Sequence, residues 1–151
     1  MRNTMLNGMM GLVVGDALGC PVQFLSRKEI KAHGLVTDME EFGTYMMPKG
    51  TWTDDSSMAL ATLASMKEMD DVDPVDIMER FMDWHLNGAY TPYGQAFDQG
   101  LTCTSAILCY RHTKDMLTCG RTGEHANGNG ALMRILPVCI YYAEMVLSAD
   151  A

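Results

Sequence analysis

The feature that most constrains this chain is a run with almost no polar face. Met58-Ala59-Leu60-Ala61-Thr62-Leu63-Ala64 lies inside a helix predicted to begin at Asp54 or Asp55 and to end near Met69. A helix that is apolar nearly all round has to be covered on several sides. Its first turn is therefore carried into the interior, together with Thr53, Asp54, Asp55 and Ser56. Any fold open to this sequence must bury a helix end bearing two neighbouring carboxylates, and must compensate them there.

The remaining signals are helical as well. Thr4 to Leu18 reads as a first helix, capped by Asn3 or Thr4, with Gly8, Gly11, Gly15 and Gly19 on one face. Glycines weaken a helix. Tight packing against another element is the return expected at Gly8 and Gly11. Pro21 to Pro48 is mostly loop, apart from a short helix at Ser26–His33 with a capping box in Ser26 and Glu29 and a stop at Gly34. Asp73-Pro74-Val75-Asp76 is a helix start. That helix puts Met78, Phe81, Met82 and His85 on one face and stops at Asn87-Gly88. Another is expected over Thr102–His112, with Cys103, Ala106, Ile107 and Tyr110 inward. Gly120 to Gly130 is loop, and a last helix over Ala131–Leu147 should be kinked by Pro137. No period-2 strand pattern stands out. The expected class is all-α, with residues 1–151 as a single domain.

Composition narrows the function. A net charge of −8 argues against general binding of nucleic acid. A small phosphorylated ligand stays open, because backbone N–H groups hold phosphate without side-chain charge. Cys20, Cys103, Cys109, Cys119 and Cys139 are odd in number and form no CxxC pair, which points away from a disulfide framework or a zinc site. Buried free thiols in a reducing, cytoplasmic setting are expected. Met5–Cys20 is apolar and Ala17-Leu18-Gly19-Cys20 loosely mimics a lipoprotein cleavage site. Against export, Arg2 alone supplies positive charge and Asp16 interrupts the apolar stretch, which a signal peptide would avoid. No segment reaches the ~18 uninterrupted apolar residues of a membrane span. Most of the fifteen methionines are expected to fill the core.

Three constellations could carry chemistry. In Gly50-Thr51-Trp52-Thr53-Asp54-Asp55-Ser56 the plain reading is helix capping, and taken alone it is favoured. Capping needs only one such side chain, however. Burying two adjacent carboxylates is costly without a cation, and a hard ion such as Mg²⁺ suits carboxylate and hydroxyl oxygens. Asn127-Gly128-Asn129-Gly130-Ala131 is either a glycine turn with an Asn cap or an anion-binding nest before a helix. Tyr93-Gly94-Gln95-Ala96-Phe97-Asp98-Gln99-Gly100 places Asp98 in a loop, where turn formation is the plain alternative.

Taken together, these segments resemble the ADP-ribosylglycohydrolase family, which includes the dinitrogenase-reductase-activating glycohydrolases. Gly15-Asp16-Ala17-Leu18-Gly19 with Pro21-Val22 resembles the family's opening signature. Trp52-Thr53-Asp54-Asp55, followed by Ser56 and Met58-Ala59-Leu60, resembles its first metal motif. Phe97-Asp98-Gln99-Gly100 is similar to its F-D-x-G segment, and Gly128-Asn129-Gly130-Ala131 with Met133-Arg134 and Pro137 to its G-N-G-A-x-M-R loop. The resemblance implies a compact orthogonal helical domain and two Mg²⁺ ions, with Thr53, Asp54 and Asp55 as metal ligands. It implies that Asn127, Gly128, Asn129, Gly130 and Ala131 cradle the diphosphate and ribose. Asp98 would position the scissile end or leaving group, with Gln23 and Asp55 also in the catalytic set. The implied partner is ADP-ribose or an ADP-ribosylated protein.

Two departures matter. Many relatives carry Glu where this chain has Gln23, and an amide cannot accept a proton as a general base. The family's second ligand cluster, of the D-x-D-T type, is absent before Ala151. Thr53, Asp54 and Asp55 alone cannot close two octahedral Mg²⁺ shells. The expectation is therefore the N-terminal portion of a truncated fold, impaired alone, with exposed apolar surface and either self-association or a missing C-terminal half. Rival readings are an inactive ADP-ribose-binding module, a non-functional fragment, or a structural helical protein whose acids only cap helices.

Overall fold

The computed structural model describes residues 2–149. It contains six α-helices: α1 (Arg2–Gly19), α2 (Arg27–His33), α3 (Asp54–Met69), α4 (Pro74–Asn87), α5 (Leu101–Thr113) and α6 (Leu136–Ala149). Single 3-10 turns lie at Cys20–Val22 and Asn129–Ala131. Among the described residues there is no strand, and the class is all-α.

The apolar helix is the hub. α3 packs against α1, α4 and α6, and α4 packs in turn against α5. Met58, Ala59 and Ala61 have no exposure at all. Two of its buried hydroxyls are satisfied within the helix: Ser57 Oγ donates to the Thr53 carbonyl at 2.8 Å and Thr62 Oγ1 to that of Met58 at 2.9 Å. Such back-bonding lets Ser and Thr sit inside a core without outside partners. Met58 and Ala61 meet Phe81 and Trp84 of α4, and Ile107 and Tyr110 of α5.

The helix starts and stops follow local chemistry where that chemistry is strong. Ser26 and Glu29 form the reciprocal capping box, and Gly34, at φ 96°, ends α2. Asp73 caps α4 through Val75 and Asp76, Pro74 takes the first position, and Gly88 closes it in the left-handed region. The buried stripe of α4 runs Met78, Phe81, Trp84, so the face is turned away from the predicted Met82 and His85, which are only half-buried.

Several expectations need correction. Asn3 and Thr4 lie inside α1 and do not cap it. A Cβ on Gly8 would stand 2.6 Å from Ile140 Cδ1, so packing by α6 explains this glycine, but Gly11 faces open space. The last helix does not begin at Ala131. Residues 129–131 form a 3-10 turn and α6 starts at Leu136, so Pro137 occupies the first turn, where its missing N–H costs nothing, and produces no kink. Cys139 is exposed and Cys109 half-buried, although all five thiols are free. Met9, Met58, Met66 and Met78 are core, whereas Met10, Met46, Met69 and Met145 are exposed.

Exposed apolar surface is present on α1 (Leu6, Met10, Val14) and on α6 (Tyr142, Met145, Val146). Residues Asn3–Val22, with mean hydropathy 1.3, are long and apolar enough to cross a membrane by length and composition. The same helix is tied to α3 through a carboxylate, as described next.

Candidate functional site

The start of α3 is organised by an acid from another helix. Asp16, near the end of α1, accepts from the Thr53 N–H at 2.9 Å, Thr53 Oγ1 at 2.8 Å, the Ser56 N–H at 3.1 Å and Ser56 Oγ at 2.6 Å. Thr53 Oγ1 in turn accepts from the Asp55 N–H at 3.4 Å. Capping of α3 is thus done by Asp16 and Thr53. Asp54 and Asp55 are not needed for it, so the capping explanation does not account for their burial.

Their position is electrostatically costly. Asp54 is 5% exposed. Its carboxyl is pushed up to about 8, chiefly by burial and then by Asp98, Asp55 and Asp16. Asp55 is half-buried and also raised, by burial and then by Asp16 and Asp98. Cys20 is pushed up to about 11 by burial and by the same Asp16 and Asp98 charges. Among the described residues, none of these four aspartates is in an ion pair. Four carboxylates therefore share one region without a side-chain counter-charge, which is the situation that favours a bound cation.

The two adjacent aspartates open onto different clefts. Asp54 lines one of about 240 Å³ together with Thr102, Cys103, Gly128, Asn129 and Gly130. Asp55 lines another of about 240 Å³ with Asp16, Thr53 and Gln23. The sequence treated them as one inward-facing pair; consecutive positions on a helix point about 100° apart, and the geometry follows that.

The predicted loop divides in the same way. Gly128, Asn129 and Gly130 face Asp54 across the first cleft. Asn127 is exposed and its Nδ2 donates to the Glu124 carbonyl at 2.9 Å. Ala131 lines a separate apolar cavity beside Arg134 and Phe81. Because α6 starts at Leu136, the loop is not the nest at the N-terminus of an α-helix that is one of the two readings of the sequence. Its glycines instead serve close approach: a Cβ on Gly128 would stand 2.0 Å from Thr102 Oγ1, and one on Gly130 2.3 Å from Cys103 Sγ. Behind the loop, Arg134 lies 4.5 Å from the Phe81 ring centre, and its Nη1 donates to Cys103 Sγ at 3.5 Å. This pins residues 128–134 onto α5.

Asp98 is held from the other side. It has φ 54°. Gln23 Nε2 donates to its Oδ2 at 2.6 Å, and the Tyr45 hydroxyl donates to its Oδ1. The Tyr45 phenol is raised above its ordinary range, first by burial and then by the Asp98 carboxylate. Gln23 and Asp98, which sequence placed in the same catalytic set from separate segments, are thus in direct contact.

Two residues at this site were not among the expected site residues. Asp16 left a signal, a lone acid in an otherwise apolar helix. Tyr45, in a loop of no regular pattern, left none. As for cation binding, Thr53, Asp54 and Asp55 offer only oxygen donors, the kind a hard divalent ion takes. Among the described residues no three His, Cys, Asp or Glu side chains converge as a metal-ligand group. The donors fit such an ion as part of a ligand shell.

Comparison with known proteins gives a consistent picture. The model of the ADP-ribosylglycohydrolase family matches residues 1–151. The chain is 32% identical over 134 residues to the ADP-ribosylarginine hydrolase Tri1 of Serratia proteamaculans (strain 568), covering 88% of this chain and 35% of that protein. It is 35% identical over 136 residues to the ADP-ribosyl-dinitrogen reductase glycohydrolase of Rhodospirillum rubrum, covering 89% and 43%. A solved structure described as an ADP-ribosylglycohydrolase-related protein complex superposes with a TM-score of 0.68 at 32% identity, over 89% of this chain and 41% of the other. The chain thus spans less than half the length of these relatives.

Proposed function

Because the chain belongs to the ADP-ribosylglycohydrolase family, we propose that it serves the Mg²⁺-dependent hydrolytic removal of ADP-ribose from modified protein side chains. The observation that carries this reading is the cleft that sets the buried Asp54 opposite Gly128, Asn129 and Gly130. An acid with no ion-pair partner among the described residues faces a loop whose glycines, packed on Thr102 and Cys103, hold its backbone at the cleft, as a cation and a phosphorylated ligand together require.

Each residue then has a task. Thr53, Asp54 and Asp55 would hold Mg²⁺, which when bound supplies compensation of the carboxylates, orientation of ribose hydroxyls and activation of water. The 128–130 backbone lies against the diphosphate and adjoining ribose, flanked by Asn127 and Ala131. Hydrolysis adds hydroxyl to the C1″ carbon of the distal ribose and a proton to the leaving group, through an oxocarbenium-like state that nearby negative charge stabilises. Asp98 faces the leaving group. Gln23 orders Asp98 by hydrogen bonding and takes no proton itself.

Charge favours arginine as the acceptor. Asp98 stands outside the Thr53–Asp55 set and keeps its carboxylate for the substrate, where a guanidinium finds a matched partner and a serine hydroxyl does not. The name of the Serratia relative, an ADP-ribosylarginine hydrolase, supports the same acceptor, and that of the Rhodospirillum relative supports an ADP-ribosylated protein as substrate.

The donors of Thr53, Asp54 and Asp55 complete only part of two Mg²⁺ shells, so turnover by the 151-residue chain is proposed to be slow. The test is release of ADP-ribose from arginine-linked and serine-linked peptides by the purified chain, with Mg²⁺ or with chelator. The expected result is slow, Mg²⁺-dependent release from the arginine conjugate, reduced at least ~100-fold in Asp55→Asn. Release indifferent to chelator and to Asp55→Asn would contradict the proposal. Binding of ADP-ribose with no release at all would favour a non-hydrolysing binding module, for which Gln23 in place of Glu is the specific argument.

A further inference from the structure

Asp98 belongs to a small built unit that the sequence did not reveal. Residues 43–45 dock onto residues 21–23 at backbone contact. A Cβ on Gly43 would stand 2.1 Å from the Pro21 carbonyl oxygen. The Thr44 N–H donates to that carbonyl at 2.9 Å, and Thr44 Oγ1 donates to the Gln23 carbonyl at 2.5 Å. The docking brings two donors to Asp98 at once: Gln23 Nε2 on Oδ2 and the Tyr45 hydroxyl on Oδ1. The Tyr45 ring is fixed edge-on between two others, 5.3 Å from Phe97 and 6.3 Å from Phe24. Phe24 (φ 64°), Met46 (φ 55°) and Asp98 (φ 54°) all adopt left-handed backbone, a conformation that costs free energy in non-glycine residues and persists where surrounding contacts impose it.

We propose that Tyr45 is a positioning residue for Asp98: together with Gln23 it holds the carboxylate as a hydrogen-bond acceptor in one orientation toward a guanidinium-bearing acceptor. The inference rests on the reading of Asp98 given above. An unheld aspartate in an exposed-edge loop samples several rotamers, and each must be frozen when the cation arrives. With one donor fixed on each oxygen, that ordering is complete before the substrate binds, and the remaining lone pairs are presented in a single geometry. Tyr45 acts through Asp98 and need not touch the substrate.

The experiment uses the 151-residue chain and two probes. Methylguanidinium binding is followed through the Asp98 and Gln99 amide resonances, and ADP-ribose binding by calorimetry. Tyr45→Phe keeps both ring contacts and removes only the hydroxyl. It is expected to weaken methylguanidinium about fivefold, the cost of ordering a carboxylate that is no longer held before binding, with ADP-ribose affinity unchanged. Gln23→Ala, an independent variant on the opposite oxygen, is expected to weaken methylguanidinium as well, and keeps the proposal testable if Tyr45→Phe folds poorly. Unchanged methylguanidinium affinity in both variants, or a parallel fall in ADP-ribose affinity in Tyr45→Phe, would overturn the positioning role. Asp98→Asn separates the two levels of the argument. If it leaves methylguanidinium binding intact, the reading of Asp98 itself is wrong; if it abolishes binding while Tyr45→Phe and Gln23→Ala leave the affinity unchanged, only the positioning role is wrong.

Discussion

Asp16→Ala is expected to destabilise the chain by about 4 kcal/mol, which for a chain of this size lowers the thermal midpoint by roughly 10 °C. The carboxylate accepts from two backbone N–H groups and two hydroxyls at the start of α3. Thr53 and Ser56 are 2% and 0% exposed, so alanine leaves their donors without water to replace the lost partner. An opposing effect exists, since Asp16 is one of the charges that raise Asp54 and Asp55. For Asp54 it ranks last among the raising causes and for Asp55 it comes directly after burial, but four lost hydrogen bonds outweigh that relief. Asp16→Asn, which retains one acceptor oxygen, should lose about half as much. Thermal and urea unfolding followed by circular dichroism measure both variants. A loss below ~1 kcal/mol for Asp16→Ala would mean that α3 is not held by this carboxylate.

Asp54→Asn has the opposite sign. Without metal, the folded chain holds a proton on Asp54 up to about pH 8, against an ordinary value of 3.8. Across that window the unfolded chain has released a proton that the folded chain still binds, so stability falls as pH rises from 4 to 8. An amide of the same shape carries no charge to desolvate. The substitution should therefore stabilise the metal-free chain at pH 7 by about 2 kcal/mol, roughly 5 °C, and make its stability fall less steeply between pH 4 and 8, the raised Asp55 remaining. Mg²⁺ should then raise the midpoint of the wild-type chain and leave that of Asp54→Asn where it was. Destabilisation by Asp54→Asn in metal-free buffer would show that the carboxylate is already satisfied within the protein. A purely structural helix start predicts a modest change and no Mg²⁺ response in either form.

These two residues also mark how much was legible in advance. The apolar stretch 58–64 required a buried helix, and that in turn required its acidic start to lie inside; both follow from burial alone and both are found. Strong local signals such as the Ser26–Glu29 box and Asp73-Pro74 were readable because they are decided within a few residues. The start of α6 was not. The glycine loop looked like a helix entry, yet Gly128 and Gly130 are needed for contact with Thr102 and Cys103, on another helix. The Asp16 cap spans 37 to 40 positions and the Tyr45–Asp98 contact spans 53, distances at which periodicity carries no information. The site is thus legible as a set of motifs, while the donors that hold it together are set by tertiary packing.

The central claim is that the acid at the head of α3 and the glycine loop after α5 form a single place for a cation and ADP-ribose. Calorimetric titration of ADP-ribose into the chain, with Mg²⁺ and with chelator, tests it directly. The account predicts binding that is strengthened at least ~10-fold by Mg²⁺, with that gain lost in Asp54→Asn. Equal affinity under both conditions, or a Mg²⁺ effect that survives Asp54→Asn, would contradict it.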